Sequence, residues 1–99
     1  MIVLAAKFTG KLEARNELMH LAASMLAPSR AESGCISYNF YQQQPGYNDF
    51  LFFEEWADQA SLDAHFQTPH FLGFMQKFPE LIEGKPSIRI YDAAGMREL

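Results

Sequence analysis

The sequence has one cysteine, Cys35, no long apolar run and no cluster of basic residues. A single cysteine cannot form an intrachain disulfide, which is typical of proteins in a reducing compartment. A membrane-spanning helix needs about 20 consecutive apolar residues, and binding to nucleic acid needs clustered Lys and Arg. Residues 1–8 are apolar but have no basic leader before them, so we expect no signal peptide. The sequence therefore predicts a cytoplasmic protein with neither a membrane nor a nucleic acid as partner.

Recognised cofactor motifs are also missing. The six glycines are dispersed and form no phosphate-binding loop. The three histidines, His20, His65 and His70, do not show a recognised metal-ligand spacing. We therefore expect no metal site and no bound flavin or haem.

Apolar and aromatic residues are abundant in this short chain. They make up 48% of its 99 residues, and nine Phe, four Tyr and one Trp are among them. This length is typical of one domain, and a domain so small leaves a large share of its surface in water. The surplus of apolar side chains therefore favours a partner that covers part of the surface.

The pattern of apolar residues and turn signals predicts six elements. Pro28 should bend or end the first helix near Ala27. Thr68 is suited to cap the last helix with Pro69 in its first turn, and Gly84 should end that helix. The predicted strands are residues 2–9, 35–43, 50–56 and 88–92, and the predicted helices are residues 13–31, 59–66 and a segment that begins at residue 69.

The order β-α-β-β-α-β, with the second helix broken in two, predicts an α+β fold. It is the ferredoxin-like arrangement, in which helices cover one face of a four-stranded antiparallel sheet. We expect one domain over residues 1–99, with residues 93–99 as a loosely held tail.

Large apolar side chains occur on both faces of the predicted third strand. Because side chains alternate along a strand, Leu51, Phe53 and Glu55 face away from the side that carries Phe50, Phe52, Glu54 and Trp56. The helices can cover only one face, and an antiparallel sheet open to water should have a polar second face. This pattern predicts a homodimer in which each sheet covers the other.

A candidate site lies where the third strand leads into the helices. Glu54 and Trp56 share one face of the strand, His65 lies on an apolar helical stripe, and His70 is in the first turn of the next helix. A concave, mostly apolar site with few polar groups is typical of ligand pockets, although each of these residues also fits ordinary core packing. The candidate lining residues are Phe52, Glu54, Leu62, Phe71, Phe74 and Met75.

Four stretches in order carry a family resemblance: PSRAESGC (residues 28–35), EEW (54–56), LDAHF (62–66) and TPHF (68–71). Together they resemble the antibiotic-biosynthesis-monooxygenase family, and within it the small quinol-monooxygenase-like proteins, over residues 2–92. Each stretch alone is only a weak indication of the family. In this order and at these spacings they are specific for the family but not for a substrate.

The resemblance implies a dimeric α+β barrel that oxidises a phenol or hydroquinone with molecular oxygen, without flavin, metal or haem. An ionised hydroquinone is electron-rich, so the protein needs only to bind it, remove a proton and exclude water. Carried over by the resemblance, His65 and His70 match the family's two histidines around the Thr-Pro, and His65 is the candidate base. Trp56 matches the family's tryptophan, so the predicted catalytic residues are His65, Trp56 and His70.

Three alternatives to this activity involve the same residues. Haem-degrading relatives use an asparagine in the first strand and a histidine in the last helix, where this chain has Lys7 and Met75, so haem degradation is disfavoured. Isomerases of a phosphorylated sugar share the Thr-Pro-His stretch but need a phosphate site, for which no basic cluster is visible. A non-catalytic dimer that binds a small aromatic compound stays open, and oxygen consumption with product formation would separate it from an enzyme.

Overall fold

All 99 residues are described by the computed structural model, in which strands and helices follow one another in the predicted order. The ferredoxin-like β-α-β-β-α-β arrangement is confirmed, with each of the two helical parts divided into two helices. The elements are β1 (Ile2–Gly10), a 3-10 turn (Leu12–Ala14), α1 (Arg15–Ser24), α2 (Leu26–Arg30), β2 (Cys35–Gln42), β3 (Asp49–Trp56), α3 (Gln59–His65), α4 (Pro69–Leu81) and β4 (Ile82–Asp92).

The four strands form one antiparallel sheet in the order β2-β3-β1-β4. Its register places Glu54 of β3 opposite Leu4 of β1 and Tyr38 of β2. Two residues further along β1, Ala6 lies between Phe52 of β3 on one side and Ile88 of β4 on the other. Residues opposite each other in a ladder share a face, so these side chains all point towards the helices.

Burial alternates along β1 and along β3, and for β3 this alternation of side chains was predicted. Every second residue of both strands is buried, starting at Ile2 in β1 and at Phe50 in β3. Burial of these side chains against the helices supplies the main apolar contribution to stability. The core is completed from the helices by Leu18, Ala22, Met25, Leu62, Phe74, Phe78 and Leu81.

The break in the first helical part lies at Met25 rather than near Ala27, where the sequence placed it. Pro28 has no backbone N–H and cannot donate to the carbonyl of Ser24 four residues earlier, so regular hydrogen bonding fails before the proline itself. The predicted helix over residues 13–31 is therefore α1 and α2 preceded by the short 3-10 turn.

Both helices after β3 begin with a side-chain cap, and the cap at Thr68 was predicted. The Asp58 side chain accepts a hydrogen bond of 2.8 Å from the backbone N–H of Ser61, and Thr68 Oγ1 accepts one of 3.2 Å from that of Phe71. Such caps satisfy N–H groups that lack a partner within the helix. They fix the entry of α3 and α4, the two helices that carry His65 and His70.

The last strand was predicted too short. It begins at Ile82, directly after α4, and not at residue 88. Gly84 lies inside the strand with a φ of 62°, a backbone conformation that glycine adopts readily. The pairing with β1 is irregular between Lys7 and Thr9. Gly84, which was predicted to end the last helix, therefore lies in an irregular stretch of strand.

The face of the sheet opposite the helices carries apolar side chains in its centre. Val3 and Ala5 of β1 and Leu51 and Phe53 of β3 are all partly exposed there. Tyr91 extends this surface on β4, next to Val3. We call these residues the outer sheet face.

Among the helices, none has the length and apolar character that crossing a membrane requires.

Candidate active site

An apolar cavity of about 270 Å³ lies between the helix-covered face of the sheet and α4. Seven of the residues around it are aromatic. Its walls are formed by Leu4, Ala6, Phe8, Tyr38, Phe52, Glu54, Phe66, Phe71, Phe74, Met75, Phe78, Pro86 and Ile88.

The cavity exists in part because one residue of its floor is small. Ala6 lies between the larger Phe52 and Ile88 in the ladder, so its methyl group leaves space above the centre of the sheet. Most residues of β4 are exposed, and Ile88 is 52% exposed although it faces the helical side. Met75 of α4 is also exposed. Ile88 and Met75 therefore mark the opening of the cavity.

Glu54 supplies the only carboxyl group in the cavity wall. It is 5% exposed, and its Oε1 accepts a hydrogen bond of 3.1 Å from Trp56 Nε1. Burial raises the pKa of Glu54 to about 7, aided by the charge of Glu32 and opposed by the bond from Trp56. No protein group donates to Glu54 Oε2, and this oxygen is not fully enclosed. Oε2 is therefore left for a ligand in the cavity.

Tyr38 lies beside Glu54 in the ladder and is the other wall residue with a polar tip. Burial, followed by the nearby charge of Glu54, raises its pKa above the ordinary range. The phenol therefore stays protonated at neutral pH, and its hydroxyl can act as a hydrogen-bond donor.

Trp56 lies behind the cavity wall rather than in it. It is fully buried, and its ring centroid lies 4.6 Å from that of His65 and 6.4 Å from that of Tyr38. Its contact with the cavity is indirect, through the hydrogen bond to Glu54. The indole thus orients a carboxyl group and is not itself part of the wall.

His65 and His70 share one carboxylate oxygen. Glu32 Oε2 lies 2.6 Å from His65 Nδ1 and 2.9 Å from His70 Nε2. His65 is 1% exposed, whereas Glu32 and His70 are partly exposed. Burial lowers the pKa of His65, although the hydrogen bond and charge of Glu32 act in the opposite direction. The three side chains also offer one ligand atom each, all within 4.8 Å of one another.

Close packing of Gly34 against α3 brings Glu32 to the two histidines. A Cβ atom at Gly34 would overlap the Ser61 side chain, so only glycine lets the segment before β2 approach α3 this closely. The backbone N–H of Ala57 also donates to the Gly34 carbonyl at 2.9 Å. Glu32 follows α2 and is held against α3 by these contacts.

The structure divides the predicted site residues into two groups. Phe52, Glu54, Phe71, Phe74 and Met75 line the cavity as expected. Leu62, Trp56 and His65 are fully or almost fully buried behind it and do not border it, and His70 lies on the far side with Glu32. The catalytic roles predicted for Trp56 and the two histidines stay predictions. The wall residues that sequence reasoning missed are Leu4, Ala6, Phe8, Tyr38, Phe66, Phe78, Pro86 and Ile88.

The chain is thus an α+β domain with an antiparallel ferredoxin-like sheet, an aromatic cavity and one buried carboxyl group in the cavity wall. The family model described as "Antibiotic biosynthesis monooxygenase" matches residues 1–77, and the chain belongs to this family.

Named relatives agree with this assignment. An uncharacterized protein of Synechocystis is 43% identical over 98 residues, which cover 99% of this chain and 67% of that protein. YcnE of Bacillus subtilis, provisionally named a monooxygenase, is 39% identical over 82 residues, covering 83% of this chain and 86% of YcnE. The solved structure of Rv0793 from Mycobacterium tuberculosis superposes with a TM-score of 0.93 at 28% identity, covering 98% of each chain.

Proposed function

We propose that the protein is a monooxygenase that oxidises a small, electron-rich aromatic compound such as a hydroquinone with molecular oxygen. The observation that carries the proposal is the free oxygen of Glu54 in a cavity whose wall is otherwise almost entirely apolar and aromatic. The monooxygenase names of YcnE and Rv0793 support the class of reaction.

The lining of the cavity favours an uncharged aromatic substrate. Its volume of about 270 Å³ suits a small ring system, and the phenylalanine side chains provide edges and faces for a flat ring. No Lys, Arg or His is among the lining residues, so a phosphate group would find no cation there. This composition disfavours a sugar phosphate as substrate and a flavin nucleotide as resident cofactor.

In the proposed reaction, Glu54 accepts a phenolic proton. An aromatic hydroxyl has a pKa of about 10, and a base whose pKa is near 7 is closer to it than an ordinary carboxylate is, which eases the transfer. This proposal gives the role of base to Glu54 and not to His65, because Glu54 borders the cavity and His65 does not.

The electrons for oxygen reduction come from the substrate. One atom of O₂ is added to a ring carbon that loses its hydrogen, and the other leaves as water. A hydroquinone is thereby converted to a hydroxyquinone with no external reductant. The protein contributes the proton acceptor, the orientation of the ring and the exclusion of bulk water.

Oxygen uptake by the purified protein on a panel of hydroquinones and catechols tests the proposal. We expect uptake with formation of one quinone product per O₂, and loss of uptake in Glu54→Gln. Saturable binding of these compounds without oxygen consumption would overturn the enzymatic proposal and leave an aromatic-binding protein.

We also propose that two copies associate through the outer sheet face. The support is its content of apolar side chains, with Val3, Ala5, Leu51 and Phe53 in adjacent strands. A contiguous apolar surface of this kind is uncommon on a monomer. A two-fold axis would place the same surface of each copy against the other, with both cavities on the far sides of the sheets.

A further inference from the structure

The cluster of Glu32, His65 and His70 takes no part in the proposed reaction. We propose that it is a binding site for one divalent transition-metal ion, with Zn²⁺ as the best-suited ion. The three side chains come from separate parts of the fold, namely the segment after α2, the end of α3 and the first turn of α4. This proposal departs from the sequence-based expectation of no metal site and is independent of catalysis in the cavity.

The distances within the cluster are close to those of a metal site. Metal bonds of about 2.0–2.2 Å to imidazole nitrogen and carboxylate oxygen, at the angles of tetrahedral or octahedral coordination, place ligand atoms roughly 2.9–3.4 Å apart. Glu32 Oε2 lies 2.9 Å from His70 Nε2 and 2.6 Å from His65 Nδ1. All three ligand atoms lie within 4.8 Å of one another, so side-chain rotations would place them around one ion.

The combination of ligands selects the kind of ion. Two imidazoles and one carboxylate are a common set for Zn²⁺ and other late first-row ions, whereas Mg²⁺ and Ca²⁺ prefer oxygen ligands alone. At present two ring nitrogens converge on one carboxylate oxygen. An ion bound there would take the place of the hydrogens between them, and each neutral ring would carry its hydrogen on the opposite nitrogen.

An open groove reaches the cluster at Glu32. It has a volume of about 460 Å³, and Glu32, Gly34, Asp58, Ser61 and Thr68 are among its lining residues. Glu32 and His70 are themselves partly exposed. An ion can therefore enter from solvent, and water in the groove can complete its coordination.

Binding would fasten the two helices that carry part of the cavity wall. Phe66 and Phe71 line the cavity, and they follow His65 and His70 directly in the sequence. An ion held by both histidines and Glu32 would link α3 and α4 to the segment before β2. The expected consequence is a higher melting temperature in the presence of metal, since a ligand that binds only the folded state stabilises it.

The test is a calorimetric titration of chelator-treated, dialysed protein with Zn²⁺, accompanied by the absorption spectrum with Co²⁺. We expect one equivalent of Zn²⁺ to bind, a rise in melting temperature, and a Co²⁺ spectrum with nitrogen ligands. His70→Ala and Glu32→Gln should each weaken binding by roughly 100-fold, equivalent to about 2.7 kcal/mol. His70 is the preferred position because its side chain is partly exposed, so its loss disturbs the core less than that of His65.

The matched control is His20→Ala, because His20 is an exposed histidine on α1 away from the cluster. It should bind Zn²⁺ as the parent protein does. Absence of stoichiometric binding would overturn the proposal, and so would binding that His70→Ala leaves unchanged. Binding lost equally in His20→Ala would show adventitious coordination by surface histidines and would also overturn it. None of these outcomes depends on oxygen uptake, so a failure here is distinct from a failure of the proposed reaction.

Discussion

The indole N–H of Trp56 donates to Oε1 of Glu54 at 3.1 Å, two residues back on the same face of β3. A strand places residues i and i+2 side by side, so this bond is built into one element. It fixes the carboxyl group in the cavity wall with Oε1 satisfied and leaves Oε2 without a protein donor. The first two predictions concern this carboxyl group.

Glu54→Gln should abolish most of the turnover. The amide keeps the shape of the side chain but cannot accept a proton, and loss of a general base costs typically 10²-fold or more. In the parent protein, oxygen uptake should rise with pH as Glu54 ionises around its raised pKa of about 7. Steady-state rates across this pH range give both results. Glu55→Gln, on the opposite face of the same strand, is the control and should retain activity. Full activity in Glu54→Gln would remove Glu54 from the mechanism.

The same substitution should make the protein more stable at high pH. Folding raises the pKa of Glu54 from 4.5 to about 7, so the folded state holds this proton more tightly than the unfolded state does. The contribution of this tighter proton binding to the free energy of unfolding is complete below pH 4.5. It is lost progressively as the pH rises through 7 and is absent above it. At about 1.4 kcal/mol per unit, Glu54→Gln should gain up to about 3 kcal/mol over the parent protein at pH 8 and almost nothing at pH 4. Urea denaturation at both pH values measures the difference, and equal gains at the two values would contradict it.

Local sequence features were sufficient to predict the first three strands, the cap of α4 and the residues of β3 that share a face. Alternation separated the two faces of β3, and Thr68-Pro69 located the start of α4. The beginning of β4 was missed because Gly84 and Pro86 are typical of turns. Only pairing with β1, a contact between distant segments, makes this stretch a strand.

Which residues come together in the site is likewise determined by contacts between segments that are distant in the sequence. Glu54 and Trp56 are neighbours on one strand, so their proximity was predictable. Glu32 is 33 residues from His65 and 38 from His70, and no local pattern joins them. His65 lies on the predicted apolar stripe of its helix and is buried, but its ring packs on Trp56 and does not border the cavity. Helical periodicity shows which side of a helix is buried and cannot distinguish a cavity wall from the layer behind it.

His65→Ala should lower stability more than catalysis. The ring is 1% exposed, packs against Trp56, and is hydrogen-bonded to Glu32. Removing it should cost about 2–5 kcal/mol, as is typical of large-to-small changes in a core. Turnover of the folded fraction should fall less than tenfold if Glu54 is the base. His65→Gln, which keeps more of the volume, should recover part of the stability. A 10²-fold loss of turnover in well-folded His65→Gln would instead assign the proton transfer to His65, as first predicted.

Phe53→Asp should dissociate the proposed dimer. Phe53 lies in the centre of the outer sheet face, between Ala5 of β1 and Asn39 of β2, and an unpaired charge buried in an interface is costly. Light scattering at micromolar concentration should give the mass of two chains for the parent protein and of one chain for the variant. Leu12→Asp is the control, because Leu12 is an exposed apolar residue on the 3-10 turn. A parent protein that is already monomeric would refute the proposed association.

Ala6→Leu should fill the cavity and discriminate between substrates by size. Ala6 lies on the floor of the cavity between Phe52 and Ile88, and three added carbons would occupy space that a ring would otherwise use. Because the new side chain fills existing space and not a packed core, the fold should lose little stability. We expect KM for two-ring hydroquinones to rise by at least about tenfold, a loss of roughly 1.4 kcal/mol of binding, with a smaller rise for one-ring compounds. Ala23→Leu, at an exposed position on α1, is the control and should leave KM unchanged for both kinds of compound. Equal kinetics for Ala6→Leu and the parent protein would place the substrate outside this cavity, even if oxygen uptake itself is observed.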